Sequence, residues 1–479
     1  MVREEYLYLS FWLDPFFLSY YFIVNIAYCI LLFLGAIATF KRQQELDIED
    51  YTQVIRSNSL PEIAFLVAAY NEAKNILIVT ENLLNLTYRS KQIIVINDGS
   101  TDNTFDILKE KYELFQVPNT SKVFFTTMQV RGVYRSKIFK EILVVDKKNG
   151  QKHDALNAGL NICTSPYFIT VDADTSVDNT TFESIIRPML TDPTTVAVGT
   201  SVRIRNGCTT IFNRVGTRLF PLNYISGMQA VEYLRTFLMR PGFDDIGGNW
   251  GMSGAFTVFV TDIIVQVGGF APTFANDLEI ILRLQRVLRA TKTPYQLVHL
   301  TDPVAWTEGP STRQQLGRQR VVWQRGTLES IWYHKRMLFN PRYGAFGLII
   351  FPFLLLFEAF EPVVELAAYI YIIVGLYLGI VSIPYVALLL IIIWGFIFVF
   401  TLFCLLIEES TFRRYTTRRS FLYLLFYSLI ENFGYRQLTV FWRIKGFFSF
   451  FKRFSAIHRE SKDINDVVKK TIKRGKIQW

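Results

Sequence analysis

Two aspartates separated by one alanine, Asp172 and Asp174 in VDADTSVD, follow the strand-like run Tyr167–Thr170. Aspartate is a common turn residue, so the pair could simply cap a loop. It could also do chemistry. Two carboxylates repel a diphosphate, and a divalent cation, Mg2+ or Mn2+, between them and the phosphate oxygens turns that repulsion into binding. Other polar clusters supply further groups. Asp98 in NDGSTDNT and Glu72, beside Tyr70 in AAYNEAKN, close two β-rich runs and offer acceptors for a ribose hydroxyl or a base imide, unless they are ordinary turns. Lys152 in NGQKHDALNAG is a point charge suited to phosphate.

Two more clusters lie further along the chain. Asp277 and Glu279 in APTFANDLE open a helical run; such an acid could take a proton from an acceptor hydroxyl, or could merely sit in the helix dipole. In GRQRVVWQRG, arginines flank Trp323, a combination that suits a departing phosphate and a sugar ring, and equally an interfacial anchor. The scattered cysteines (Cys29, Cys163, Cys208, Cys404) and histidines have no ligand spacing, and no GxGxxG or GxxxxGK[ST] pattern is present. These absences argue against zinc, a disulfide framework, dinucleotide oxidoreductases and P-loop ATPases.

The elements that must carry these groups alternate. Ile63–Tyr70 and Gln92–Gly99 are short β-rich runs, and Ile76, Val79, Leu83 and Leu86 between them have helical spacing. Strand, helix, strand at that interval predicts a βαβ unit in a mostly parallel sheet, with functional loops beyond the carboxyl ends of the strands. Further strands are expected at Val123–Thr127, Ile142–Asp146, Tyr167–Asp172 and Val196–Val202.

Composition asks for lipid. Hydrophobic residues make up 51% of the 479-residue chain and charged residues 19%, with 42 Phe and 24 Tyr. Tyr20–Phe40 carries no charge, is long enough to cross a bilayer, and lacks the features of a cleaved signal. Four more apolar segments are expected at Phe346–Phe360, Val363–Leu378, Tyr385–Leu406 and Phe421–Phe433, the first two meeting at Glu361-Pro362. Lys41, Arg42 and the basic run from Lys452 to Lys476 belong on the cytoplasmic side by the positive-inside rule. The division is therefore an N-terminal segment with one transmembrane helix (1–42), a cytoplasmic domain (43–340), about four transmembrane or interfacial segments (341–437) and a basic tail (438–479). The net charge of +10 is explained by anchors facing anionic membrane lipid, with no nucleic-acid recognition element in view.

In this order, and between membrane segments, the clusters resemble those of the membrane-embedded family 2 inverting glycosyltransferases that make β-linked polysaccharides such as cellulose, hyaluronan and poly-N-acetylglucosamine. The likeness covers roughly residues 60–445. It implies an α/β, GT-A type domain inserted between transmembrane helices of the inner membrane, a UDP-sugar donor, and a glycan or lipid-linked acceptor. A partner for glycan export or modification is a further implication. Residue by residue, it implies that Asp98, Tyr70 and Glu72 line the nucleoside, and that Lys152 lies near sugar and diphosphate. Asn157 and Gly159 match the family's Ala-Leu-Asn-x-Gly ending. Asp172 and Asp174 match the metal motif, with Asp174 the direct ligand, and Ser253 and Gly254 the turn near the acceptor. Asp277 corresponds to the catalytic base, and Gln319 and Trp323 to the ends of the Gln-x-x-Arg-Trp cap.

Two positions depart from that pattern. Asn276 stands where the family has glutamate, and Val322 where it has arginine, so a diphosphate clamp is expected from Arg320, Arg318 or Arg325. The second departure opens an alternative in which one sugar is added to a lipid carrier; a third reading is a scaffold that only binds nucleotide-sugar. After Gly446 only a short basic segment remains, from which no separate cyclic-nucleotide-binding domain is expected.

Overall fold

The computed structural model describes residues 2–48, 60–120, 122–208, 210–211, 214–215, 218–244, 246–412, 415 and 417–477. The apolar runs of the middle region become strands: β1 (Ile63–Ala69), β2 (Lys91–Asp98), β3 (Leu114–Val117), β4 (Val130–Ser136), β5 (Ile142–Lys147), β6 (Tyr167–Asp172), β7 (Ser176–Val177) and β8 (Thr195–Ile204). After a two-stranded pair, β9 (Thr210–Ile211) and β10 (Arg214–Val215), come β11 (Phe256–Val260) and β12 (Gln296–Thr307). The main sheet has the order β3-β4-β5-β2-β1-β6-β11-β8-β12-β7. β5, β2, β1 and β6 are parallel neighbours, as are β8 and β12, whereas β11 runs antiparallel between β6 and β8. This is the mostly parallel α/β sheet expected.

Both faces of the sheet are covered, which explains why its central strands are continuously apolar instead of alternating. Ile93 and Val95 point into one core, Ile94 and Ile96 into the other, and none of the four is exposed. Each such side chain contributes about 1.5–3 kcal/mol by leaving water. The register then sets the functional edge: Asp172 lies opposite Ala68, and Asp98 opposite Lys147, so the first turns and the acids leave the sheet at one level.

The helices that matter below are α1 (Val2–Ile48), α2 (Gln151–Ile162), α3 (Tyr224–Met239), α4 (Asn276–Thr291), α5 (Arg313–His334), α6 (Tyr435–Lys452) and α7 (Phe454–Arg474). Among the described residues, two helices, Tyr8–Gln44 within α1 and Ile383–Thr411, are long and apolar enough to cross a membrane. A third span is formed if Phe346–Ala359 and Glu361–Tyr377, bent by 46°, count as one. The bend falls where Pro362, at the start of the second piece, has no N–H to continue the helix. α1 reaches well beyond the expected Tyr20–Phe40. Gly35 and Gly242 let it touch the middle region backbone to backbone, since a Cβ on either would strike the carbonyl of Leu238 or Leu31.

One expectation is corrected, and two segments are defined more closely. Val123–Thr127 is not a strand: Val123 is 81% exposed, and the Phe124 and Phe125 N–H groups donate to the Asn161 side chain instead of a neighbouring strand. The apolar segment at Phe421–Phe433 lies on a 13-residue helix, Arg418–Ile430, shorter than the roughly 20 residues a bilayer crossing takes. The basic tail is two helices: α7 buries Ile457, Ile464 and Val468 in the domain core, and Asn465 accepts from Arg286 at 2.7 Å.

Candidate active site

The acids at the strand ends are held in different ways. At the end of β1, Tyr70 is half-exposed, and the side-chain oxygen of Asn71, in a left-handed conformation, accepts from Thr101 N at 2.8 Å, tying the first two turns together. Glu72 accepts from Asn75 at 3.2 Å; burial, opposed by that bond, and then Asp172 raise its pKa. Asp98 is buried, and its Oδ1 accepts from Lys147 Nζ at 2.5 Å and Gly150 N at 3.0 Å. Lys147 is fully buried and also pairs with Asp154 at 2.5 Å. Asp98 thus organises the loop that leads to Lys152.

Lys152, in the first turn of α2, pairs with Asp172 at the end of β6. Burial works against its charge, but Asp172, with Asp277 and Asp174, outweighs that and holds its pKa above the ordinary value. Asp174 follows on the bend. Thr307 and Thr175 hydroxyls donate to its Oδ1 at 3.1 and 3.2 Å, while burial, Asp172 and Glu72 push its pKa up to about 7. A carboxylate so raised by like charges sits where a cation is favoured. Among the described residues no three His, Cys, Asp or Glu side chains form a metal cluster. The donor set fits a hard cation held by one or two carboxylates and completed by phosphate oxygens.

The other wall is the turn that enters β11. Gly254 N donates to Asp277 Oδ2 at 3.0 Å, and Leu278 N donates to Asp277 Oδ1 at 2.9 Å. The helix N-terminus therefore orients a partly exposed carboxylate. Glu279, two residues on, is fully buried against Arg283 and His334 and cannot meet a substrate. A cavity of about 10 Å³ lies between Lys152, Ser253, Gly254, Asn276 and Asp277. That is room for one water, so a sugar belongs on its open side.

The cap helix α5 contributes less than expected. Arg320 makes a two-pronged ion pair with Glu232 of α3, at 2.6 and 2.7 Å, and lies 4.6 Å from the Trp323 ring. Arg325 pairs with Glu329 at 3.3 Å and covers Phe274, and Arg318 is exposed. Gln319 accepts from Gln229 at 2.8 Å. Trp323 is 39% exposed and stacks on Tyr233, whose hydroxyl feels burial first and then Arg320, Glu232, Asp174 and Asp172.

Several residues were missed by sequence reasoning. Lys147, the charge that ends β5, was visible as a lysine after an apolar run. Glu232, Tyr233 and Thr307 carried no signal. Arg240 donates to Gly251 O at 3.1 Å, bracing the start of the Ser253 turn; burial lowers its pKa, and Asp277 is the strongest influence the other way.

The fold and this carboxylate edge define a nucleotide-sugar type transferase domain, and the comparisons agree. The family model described as "Glycosyl transferase family group 2" matches residues 167–407, half of the chain, and "Glycosyl transferase family 2" matches 64–253. The chain belongs to the family 2 glycosyltransferases and its sheet is of the GT-A type. It is similar to poly-beta-1,6-N-acetyl-D-glucosamine synthase of Staphylococcus aureus (strain COL), 29% identical over 276 residues, covering 57% of this chain and 56% of the relative. The Staphylococcus epidermidis synthase of the same name is 26% identical over 266 residues, covering 55% and 54%. The chain thus spans about half the length of the curated relatives it matches. Among solved structures, the mannosyltransferase PcManGT from Pyrobaculum calidifontis aligns over 86% of this chain and 99% of its own, with 16% identity and a TM-score of 0.46.

Proposed function

We propose that this membrane enzyme is an inverting transferase that adds N-acetylglucosamine or glucose from a UDP-sugar to the end of a β-linked polysaccharide, with its catalytic domain on the cytoplasmic side of a multi-pass inner-membrane protein. The observation that carries the reading is the placement of Asp277: its carboxylate is fixed by Gly254 N–H across a small cavity from Lys152, itself paired with Asp172. The polysaccharide, and N-acetylglucosamine in particular, is supported by the names of the curated relatives. Lys41 and Arg42, which follow the apolar part of α1, support the orientation.

In the proposed step Asp277 takes the proton of an acceptor hydroxyl. The acceptor oxygen attacks the anomeric carbon from the face opposite UDP, the bond from that carbon to the diphosphate oxygen breaks, and the electron pair leaves with UDP. One displacement inverts the anomeric centre without a covalent sugar–enzyme intermediate. Asp174, with Asp172 beside it, would hold Mg2+ or Mn2+, which when bound supplies charge stabilisation to the diphosphate. Lys152 holds Asp172 in place and lends positive charge to the same edge. Tyr70, Glu72 and the Asp98 loop are the nucleoside end of the site, Ser253 and Gly254 the acceptor end, and Gln319 and Trp323 the cap. The pairing of Arg320 with Glu232 makes it a brace for the cap, not the diphosphate clamp.

The test is incubation of the protein in lipid nanodiscs with UDP-N-acetylglucosamine or UDP-glucose and Mg2+ or Mn2+, reading UDP release and product mass. A polymer ladder is expected. A product one sugar larger than a lipid carrier would replace polymerisation by single addition, and absence of any sugar-bearing product would overturn the proposal.

A further inference from the structure

A cavity of about 570 Å³ lies away from the catalytic edge. It lies between the end of α1 (Thr39, Arg42), Asp244, the last turns of α4 (Gln285, Arg289) and the first residues of β12, including His299. β12 is parallel, through β8, to the strands that carry the acids, and only its far end, at Thr307, reaches Asp174. Thr301 is six residues before Thr307, about 20 Å along the strand. The cavity therefore opens at the opposite end of the sheet from the proposed site of sugar transfer.

One feature of its wall asks for a ligand. Arg289 donates to three neutral oxygens, Gly247 O at 2.6 Å, Gln285 Oε1 at 2.9 Å and Tyr343 O at 3.4 Å, and no carboxylate pairs with it among the described residues. A partly buried guanidinium without an anion is an unusual state, because burying charge is favourable only when it is paired. His299 is 3% exposed, its ring stacks on Phe237 and both ring nitrogens are closed off from solvent, so it serves as wall. Arg42 is paired with Asp302 at 2.7 Å and likewise serves as wall.

Position selects the kind of ligand. Thr39 and Arg42 belong to the last turns of the apolar helix Tyr8–Gln44. The Arg289 guanidinium also lies 5.5 Å from the ring of Phe346, the first residue of the next apolar element. The cavity is thus bracketed by the ends of two membrane elements, at the height of lipid headgroups, and the preceding stretch of α1 exposes Phe33, Ile37 and Phe40 to the bilayer.

We propose that this cavity is a second binding site, for the phosphate-bearing headgroup of an anionic membrane lipid, with the phosphate on Arg289. The lipid would tie α1 to the base-bearing helix α4 at the end opposite Asp277.

The test uses the full chain in nanodiscs. Native mass spectrometry of protein released from phosphatidylglycerol and phosphatidylcholine mixtures should show one phosphatidylglycerol retained per chain in preference to phosphatidylcholine. Arg289→Gln should lower that retention roughly tenfold, the loss expected for one charge-assisted contact. Equal retention of both lipids, or no effect of Arg289→Gln, overturns the proposal. Millimolar inorganic phosphate that occupies the site while no lipid is retained identifies a free-anion site and also overturns it. Should Arg289→Gln fail to fold, a wild-type structure in phosphatidylglycerol nanodiscs decides: headgroup density against Arg289 supports the site, and water alone sinks it.

Discussion

The backbone N–H of Gly254 and the carboxylate of Asp277, 23 residues apart, form one hydrogen bond of 3.0 Å, and it joins the turn before β11 to the first turn of α4. A Cβ at position 254 would stand 2.9 Å from Asp277 Oδ2, closer than real side chains come. Gly254→Ala must therefore move the Asp277 carboxylate or the turn. A shift of about 1 Å in a reacting group costs roughly 100-fold in rate. The expected result is that loss in kcat with little change in UDP binding. Gly251→Ala is the control in the same loop, since its Cβ would meet only Leu278 at 3.4 Å; equal loss in both variants would refute the positional argument.

Asp174 receives its orientation from Thr307 at 3.1 Å, across from the end of β12. If Asp174 holds the cation, Thr307→Val removes the hydrogen bond that aims it while leaving the carboxylate in place. Partners of this kind typically change metal affinity by about 10–100-fold. The expectation is that chelation abolishes transfer, that Mn2+ or Mg2+ restores it, and that Thr307→Val shifts the restoring concentration upward by about tenfold. A Thr307→Val enzyme with an unaltered metal titration would separate Asp174 from the cation.

How far these contacts could be read from sequence follows from their range. Asp98 and Asp172 were legible because each ends an apolar run, and a strand end in a parallel sheet is a defined place. Asp277 was legible as an acid opening a periodic helix. The Val123–Thr127 error has the same root: Val-Phe-Phe-Thr-Thr has strand chemistry, and only Asn161, on a helix far along the chain, shows that its N–H groups are satisfied elsewhere. The docking of α7 was visible in principle, since Ile457, Ile464 and Val468 recur at helical spacing. No local pattern could have joined Arg320 to Glu232, 88 residues apart.

That pair leads to a third expectation. Both prongs of the Arg320 guanidinium engage Glu232, and Tyr435 of α6 donates to the same carboxylate at 3.0 Å. Arg320→Lys keeps the charge and loses the fork. Glu232 is partly exposed, so breaking one side of the pair should cost less than the about 3–5 kcal/mol of a fully buried one, and lysine should recover part of it. The variant should melt at lower temperature while binding UDP as wild type does. Weaker UDP binding at unchanged stability would restore Arg320 as a diphosphate ligand.

The last expectation concerns acid. In α4 and α5, Glu279 Oε1 meets His334 Nε2 at 2.9 Å, Arg283 closes on the other side of Glu279, and Arg286 lies 3.4 Å from His334 Nδ1. Burial lowers the His334 pKa to about 4 although Glu279 pulls it up. Glu279 is brought down to about 2, burial opposing and Arg283 prevailing. Both folded values lie below the unfolded ones, about 6.5 and 4.3. The unfolded chain therefore binds more protons in the interval, and stability present at neutral pH is lost on acidification. The histidine acts first, between about pH 6.5 and 4, and the glutamate below that. A loss of about 1–3 kcal/mol is expected across the histidine window. His334→Gln removes the titrating group while offering an amide to Glu279, so it should lower the melting temperature at pH 7 but flatten its fall between pH 6.5 and 4.5. A variant whose melting temperature falls with pH as steeply as that of wild type would place the acid sensitivity elsewhere.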